Sequence, residues 1–242
     1  MICSEGRAAM RTLVIIPAYN EAENIERTVD DLVNNVPDVN VMIINDCSID
    51  KTKDILKEND FSFLDLPINL GIGGGVQTGY LYAVEHDYDI AIQFDGDGQH
   101  DASYIKDLIA PIESGQADVV IGSRFIEKKG FQSSVMRRMG INFLSGLIKL
   151  LCGVKVKDVT SGMRAVNKKM ICEFARNYAQ DYPEPEAILA AGLMGARIVE
   201  VPVCMHERQN GVSSINTFKS VYYMIKVSLA LIIERLTTRR RR

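Results

Sequence analysis

The chain has no C-x-x-C pair and no apolar stretch long enough, at about 20 residues, to form an ordinary membrane-crossing helix. Its five cysteines, at positions 3, 47, 152, 172 and 204, are scattered and odd in number. That pattern argues against a disulfide framework or a zinc site and for a reducing compartment. Nothing near Met1 has the apolar core of a signal peptide. No internal repeat or low-complexity linker interrupts the 242 residues. A net charge of −3 gives no general pull toward nucleic acid. The glycine run Gly71-Ile72-Gly73-Gly74-Gly75-Val76 lacks the last glycine of a dinucleotide fingerprint and follows the third strand-like segment, not the first.

What is present alternates. Thr12–Ile16 and Val41–Ile44 are continuous apolar runs of the kind that suits strands buried on both faces. Pro17 is expected to break the first, and Asn45-Asp46 ends the second. Ser62–Leu66, Ile90–Phe94, Asp118–Arg124 and Arg197–Val203 read as further strands. Helical spacing occupies Glu21–Asn34, Ser103–Glu113, Ser133–Gly153, Tyr182–Met194 and Thr217–Leu236. A short helix through Leu56 is expected to start at a Ser48 cap, and Asn69–Gly75 reads as a glycine-rich loop. The expected fold is α/β, an open and mostly parallel sheet flanked by helices, with a C-terminal amphipathic helix. The expected organisation is a loose leader over 1–10, a domain over 11–216, and the last helix with its basic tail over 217–242.

Ligands bind beyond the carboxyl ends of the strands in such sheets. Pro17–Glu21, Asn45-Asp46 and Asp95-Gly96-Asp97 all sit there. Asp95 and Asp97 can converge on one point at a turn, and two hard oxygen donors suit Mg²⁺ or Mn²⁺ carrying a diphosphate. Gln99 and His100 follow within reach. A plain solvated Asp-Gly turn is the alternative for this stretch alone.

In chain order, PAYNE (17–21), NDCSID (45–50), NLGIGGG (69–75), DGDGQH (95–100), GSRF (122–125), SGMR (161–164) and ERQNGVSS (207–214) together resemble a family 2 glycosyltransferase of the GT-A fold. The likeness is greatest to the polyprenyl- and dolichyl-phosphate mannosyl- and glucosyltransferases, and spans about residues 13–214. It implies that Pro17, Tyr19, Glu21, Asp46, Asn69, Gly71, Gly74 and Asp95 bind the nucleotide sugar. Asp95, Asp97 and Gln99 would hold Mg²⁺ or Mn²⁺. Many relatives carry two aspartates where this chain has Asn45-Asp46, which puts a role for Asn45 in doubt.

Arg124, Arg164 and Arg208 are the candidate phosphate clamps, because a guanidinium offers a bidentate fork to phosphate oxygens. Arg124, Arg208 and Ser213 would take the acceptor phosphate; Ser213 is equally a helix cap. With Asp97, Arg124, Arg164 and Arg208, the catalytic set includes Glu186, which with Glu184 falls where the family places an acceptor-side acid. Glu186 is a base if the acceptor is a hydroxyl and a positioning group if it is a phosphate; a first-turn helix carboxylate is the structural alternative.

The resemblance implies an inverting hexosyltransferase that moves a sugar from a GDP-mannose- or UDP-glucose-type donor to a polyprenyl phosphate at the cytoplasmic face of a membrane. A hydroxyl on a lipid-linked cell-surface polysaccharide is the alternative acceptor. Two amphipathic stretches, 133–154 and 217–236, suit a membrane surface, packing on the domain, a homo-oligomer or a membrane-protein partner.

Overall fold

The computed structural model describes residues 10–127, 129–130, 134–206 and 217–240, with the side chains of 217–221 and 239–240 left aside. Seven strands form one sheet in the order β3-β2-β1-β4-β6-β5-β7. They are β1 (Thr12–Ala18), β2 (Asn40–Asn45), β3 (Phe63–Asp65), β4 (Ile90–Gln93), β5 (Val119–Ser123), β6 (Arg164–Asn167) and β7 (Ile198–Pro202). Every pairing is parallel except those of β6, which runs antiparallel between β4 and β5.

The buried strand residues divide by parity, as a period of two requires. Leu13, Ile15, Ile44, Ala91 and Ile121 point to one core, and Val14, Ile16, Ile43, Ile92 and Val120 to the other. Helices α1 (Ile25–Asn35), α2 (Thr52–Glu58) and α4 (Ile105–Glu113) cover the second face. Helices α3 (Gly71–Glu85), α5 (Val135–Cys152), α6 (Lys168–Arg176), α7 (Pro183–Leu193) and α8 (Thr217–Arg240) cover the first. Each fully buried Ile or Leu contributes about 1.5–3 kcal/mol of transfer free energy, so the two-sided sheet is the main stabilising unit.

Three local expectations are corrected. β1 runs through Pro17 instead of stopping before it. Ile15 O accepts from Phe94 N on the β4 side, and Ala18 O from Asp46 N on the β2 side. Pro17 shares the parity of Ile15, so its missing N–H faces β4, and β4 ends at Gln93 where the ladder would need it. Ser48 does not cap α2; its hydroxyl accepts from Asn20 N, while Asp50 accepts from Thr52 N at 2.9 Å. The glycine run lies inside α3, not in a loop. Glycine is a poor helix former, but Gly73 lies against the backbone of Ala179-Gln180 and Gly79 against Ile15, where a Cβ would collide. Close packing therefore overrides propensity and seats the start of α3 on the sheet.

Candidate active site

The carboxyl ends of β1, β2 and β4 and the start of α3 enclose a groove of about 390 Å³. Pro17, Tyr19, Glu21, Asp46, Asn69, Gly71, Asp95 and Asp97 all line it. Gly74 does not; it is buried against Leu70, and Gly75 reaches the groove instead. Tyr19 is exposed at the rim. Glu21 accepts from Asn24 Nδ2 at 2.9 Å, and its backbone N–H donates to Thr52 Oγ1. Asp46 is buried and accepts from Leu70 N at 2.7 Å, which ties β2 to the entry of α3. Asn45 turns away and donates to Asp65 Oδ1 at 2.7 Å.

Asp95 and Asp97 form the floor where β4 ends. The Asp95 side chain is 31 % exposed. Its Oδ1 accepts from Gln93 Nε2 and its Oδ2 meets His100 Nε2, both at 3.3 Å. Burial opposes the Asp95 charge most strongly of any one cause, but the His100 contact, the Gln93 hydrogen bond and the Arg164 cation together hold the carboxyl below its ordinary range. Gly162 packs directly on this carboxylate; a Cβ there would collide with it. Asp97 Oδ1 accepts from Gln99 N at 3.1 Å, and the positive φ of Gly98 lets the turn close beneath it. The Gln99 side chain donates to His206 O at 3.3 Å. Two carboxylates on an open floor, with room for phosphate oxygens to complete the shell, are a donor set that fits Mg²⁺ or Mn²⁺.

The arginines divide. Arg124 is buried and grips Asp158 in a bidentate pair, Nε to Oδ2 at 2.7 Å and Nη2 to Oδ1 at 2.6 Å, with Thr160 Oγ1 at 3.0 Å. Its fork is therefore committed inside the protein. Arg164 is among the largest fully buried side chains; it donates to Ser161 O at 2.8 Å and Glu184 O at 3.2 Å. Arg208 and Ser213 lie outside the described residues.

The Pro-Glu-Pro-Glu segment also divides. Glu184 stands close enough to Arg164 and Asp95 to feel both charges, and burial raises its pKa above the usual range. Glu186, the carboxylate singled out from the sequence, points elsewhere. It lines a separate pocket of about 420 Å³ with Glu234 of α8, and that pocket shares no residue with the groove at the strand ends. Burial and then Asp181 push it up to about 7. Residues two apart in a helix point about 200° away from each other, so only one of the pair can face the groove.

Asp158, Gln93 and Arg137 escaped the sequence reading as site residues. A polar Gln93 inside an otherwise apolar strand was the available signal for one of them. Arg137, at the start of α5, has its pKa lowered by burial and then by the Arg124 cation, so two guanidinium groups stand near each other.

Residues 13–174 match the family described as Glycosyl transferase family 2. An undecaprenyl-phosphate mannosyltransferase of Micrococcus luteus is 28% identical over 216 residues, covering 86% of this chain and 88% of that one. A UDP-N-acetylglucosamine–dolichyl-phosphate N-acetylglucosaminyltransferase of Methanococcus voltae is 32% identical, covering 91% of this chain and 97% of its own. Among solved structures, glucosyl-3-phosphoglycerate synthase from Mycobacterium tuberculosis in complex with Mn²⁺ and UDP-glucose aligns with a TM-score of 0.70 at 17% identity. That alignment covers 94% of this chain and 79% of the other, and shows a shared fold. The chain belongs to glycosyl transferase family 2 and is a glycosyltransferase of the GT-A fold.

Proposed function

We propose that this glycosyltransferase moves a hexose, with inversion, from a nucleotide sugar of the GDP-mannose or UDP-glucose type to a polyprenyl phosphate at the cytoplasmic face of a membrane. The observation that carries the reading is the split of Glu184 from Glu186. Glu186, the base expected for a hydroxyl acceptor, lines a different pocket from the groove, while Arg137 adds a second guanidinium beside the closed Arg124–Asp158 pair and favours an anionic acceptor. The relatives of Micrococcus luteus and Methanococcus voltae, named for lipid-phosphate acceptors, support the same class.

Asp46, Tyr19 and the start of α3 would seat the nucleoside. An acceptor phosphate oxygen attacks the anomeric carbon from the face opposite the diphosphate, and the C–O bond to the diphosphate breaks with its electron pair. A phosphate nucleophile is already an anion and needs no base. A divalent cation held by Asp95 and Asp97 would neutralise the charge gathering on the leaving diphosphate. Arg137 would orient the incoming phosphate, and Arg124 with Asp158 would keep the loop after β5 in place. A hydroxyl acceptor is the second reading; Glu184, its pKa raised by burial and so made a stronger base than an ordinary carboxylate, would then take the proton.

A lipid acceptor also accounts for the helices beyond the sheet. α5 exposes Val135, Met136, Met139, Phe143 and Leu150, and α8 exposes Tyr222, Ile225, Leu229, Ile233 and Leu236. These two helices and Arg241-Arg242 carry ten Lys or Arg against the single carboxylate Glu234, in a chain of net charge −3. An apolar stripe in a basic frame suits an anionic bilayer surface. No described helix is long and apolar enough to cross a membrane.

The test is transfer of labelled sugar from a panel of UDP- and GDP-sugars to polyprenyl phosphate with Mn²⁺ or Mg²⁺. A metal-dependent, mild-acid-labile lipid product is expected, and Asp97→Ala should reduce it by about a thousandfold or more while the fold survives. A product formed only on a lipid-linked glycan hydroxyl would replace the phosphate acceptor with the second reading. Full turnover by Asp97→Ala would remove the metal assignment.

A further inference from the structure

We infer that Gln93 is a positioning residue for the donor site, a neutral amide that fixes the Asp95 carboxylate from below and keeps it apart from Glu184. The inference rests on the reading of Asp95 as part of the donor site. Gln93 ends β4 and is fully buried. Its Nε2 donates to Asp95 Oδ1 at 3.3 Å, and its Oε1 accepts from the Tyr178 hydroxyl at 3.2 Å. The same amide faces Glu184 and favours the charged form of that carboxylate. A carboxamide has two N–H donors and one carbonyl acceptor, and all three are used here.

The network sets the amide orientation. Both carboxylates accept only, so the NH₂ end must face them, and the carbonyl must face Tyr178. Burial holds the Tyr178 hydroxyl well above its ordinary pKa, so it stays a donor. Asp95 is then held from three sides: Gln93 on Oδ1, His100 on Oδ2, and Gly162 packed against the carboxylate. The remaining exposed part opens to the groove. Glutamate at 93 would place a third carboxylate in this cluster, whereas methionine fills the space but leaves Asp95 Oδ1 and the Tyr178 hydroxyl unpaired.

Three variants separate positioning from packing: Gln93→Met, Gln93→Glu and Tyr178→Phe, each with folding checked by circular dichroism. Mn²⁺ affinity is read by electron paramagnetic resonance in the presence of UDP or GDP, and kcat and KM in the transfer assay. Gln93→Met should weaken Mn²⁺–nucleotide binding by about tenfold or more, because a buried group left unpaired costs on that order. Tyr178→Phe should give a loss of roughly threefold to fivefold in kcat, with the acceptor KM unchanged. Gln93→Glu should bind Mn²⁺–nucleotide at least as poorly as Gln93→Met.

A crystal structure of Gln93→Met supplies a readout independent of activity. An Asp95 carboxylate rotated off its wild-type position is expected. An unmoved Asp95 with wild-type Mn²⁺ affinity would reduce Gln93 to a packing residue and overturn the inference. Wild-type protein that binds neither metal nor nucleotide would overturn the donor-site reading itself, and the Asp95 rotation would still report on Gln93.

Discussion

The acidic side chains of the strand-end groove and those between α7 and α8 sit in opposite environments. Asp46, Asp95 and Asp97 each accept hydrogen bonds from neighbouring N–H groups. Beneath them Asp158 is fully buried and spent on Arg124. Glu186 and Glu234 face one another across a pocket, and the buried Oε2 of Glu234 has no hydrogen-bond partner among the described residues. Burial and then Asp181 raise Glu186 to about 7; burial and then Glu186 raise Glu234 to about 7. Among the groove carboxylates, Asp95 is held below its ordinary range against the pull of burial by its neighbours' hydrogen bonds and charges, while burial and like charge hold the helix-seam pair part-protonated near neutrality.

The largest effect expected from breaking this contrast is on stability. Asp158→Ala leaves Arg124 buried without its carboxylate and should destabilise the protein by about 3–5 kcal/mol in urea denaturation. A cost under about 1 kcal/mol would mean that Arg124 finds another anion. Next comes Gly162→Ala, which forces the Asp95 carboxylate aside and should lower kcat/KM by about a hundredfold, since displacements near 1 Å cost that much in a preorganised site. Wild-type kinetics for this variant would show that the 161–164 loop yields freely.

The helix-seam pair makes a pH prediction. Their folded pKa values lie above the ordinary carboxyl value of 4.5, so the folded state binds more protons between about 4.5 and 7. Stability should therefore fall as pH rises through that window, with the whole penalty present above it. Both groups keep contact with solvent, which screens the penalty to on the order of 1–2 kcal/mol in total. The double variant Glu186→Gln, Glu234→Gln should flatten the pH dependence of thermal unfolding between pH 5 and 8. An unchanged slope would place the titration elsewhere. The smallest effect concerns the outer faces of the same region: Phe143→Glu or Leu229→Glu should weaken binding to anionic vesicles by roughly tenfold, leaving donor hydrolysis in solution unaffected. Equal vesicle binding would remove the surface reading of α5 and α8.

The gathering of the strand-end residues in one groove was readable in advance because its signals are local. Apolar runs followed directly by Pro17–Glu21, Asn45-Asp46 and Asp95–Asp97 put each polar cluster at a strand end, and a parallel sheet then gathers strand ends in one groove. The rest resisted for two reasons. Glu184 and Glu186 are indistinguishable in composition, and their helix phase is set by what α7 packs against. Arg124 looked like a phosphate clamp because its partner, Asp158, lies 34 residues away, beyond any local pattern.

The sequence by itself thus determined the alternation of strands and helices, the two-sided core, and the set of carboxylates and glycines at the strand ends. All of these follow from periods of two and 3.6 residues and from the turn chemistry of Gly, Pro, Asn and Asp. Only the tertiary structure decided that β6 enters antiparallel between β4 and β5, that the glycine run coils into α3, that Arg124 is spent on Asp158, and that Glu184, not Glu186, lies within reach of the Asp95 charge. Those outcomes depend on which distant surfaces meet, and desolvation with long-range charge pairing determines which side chain is left to act.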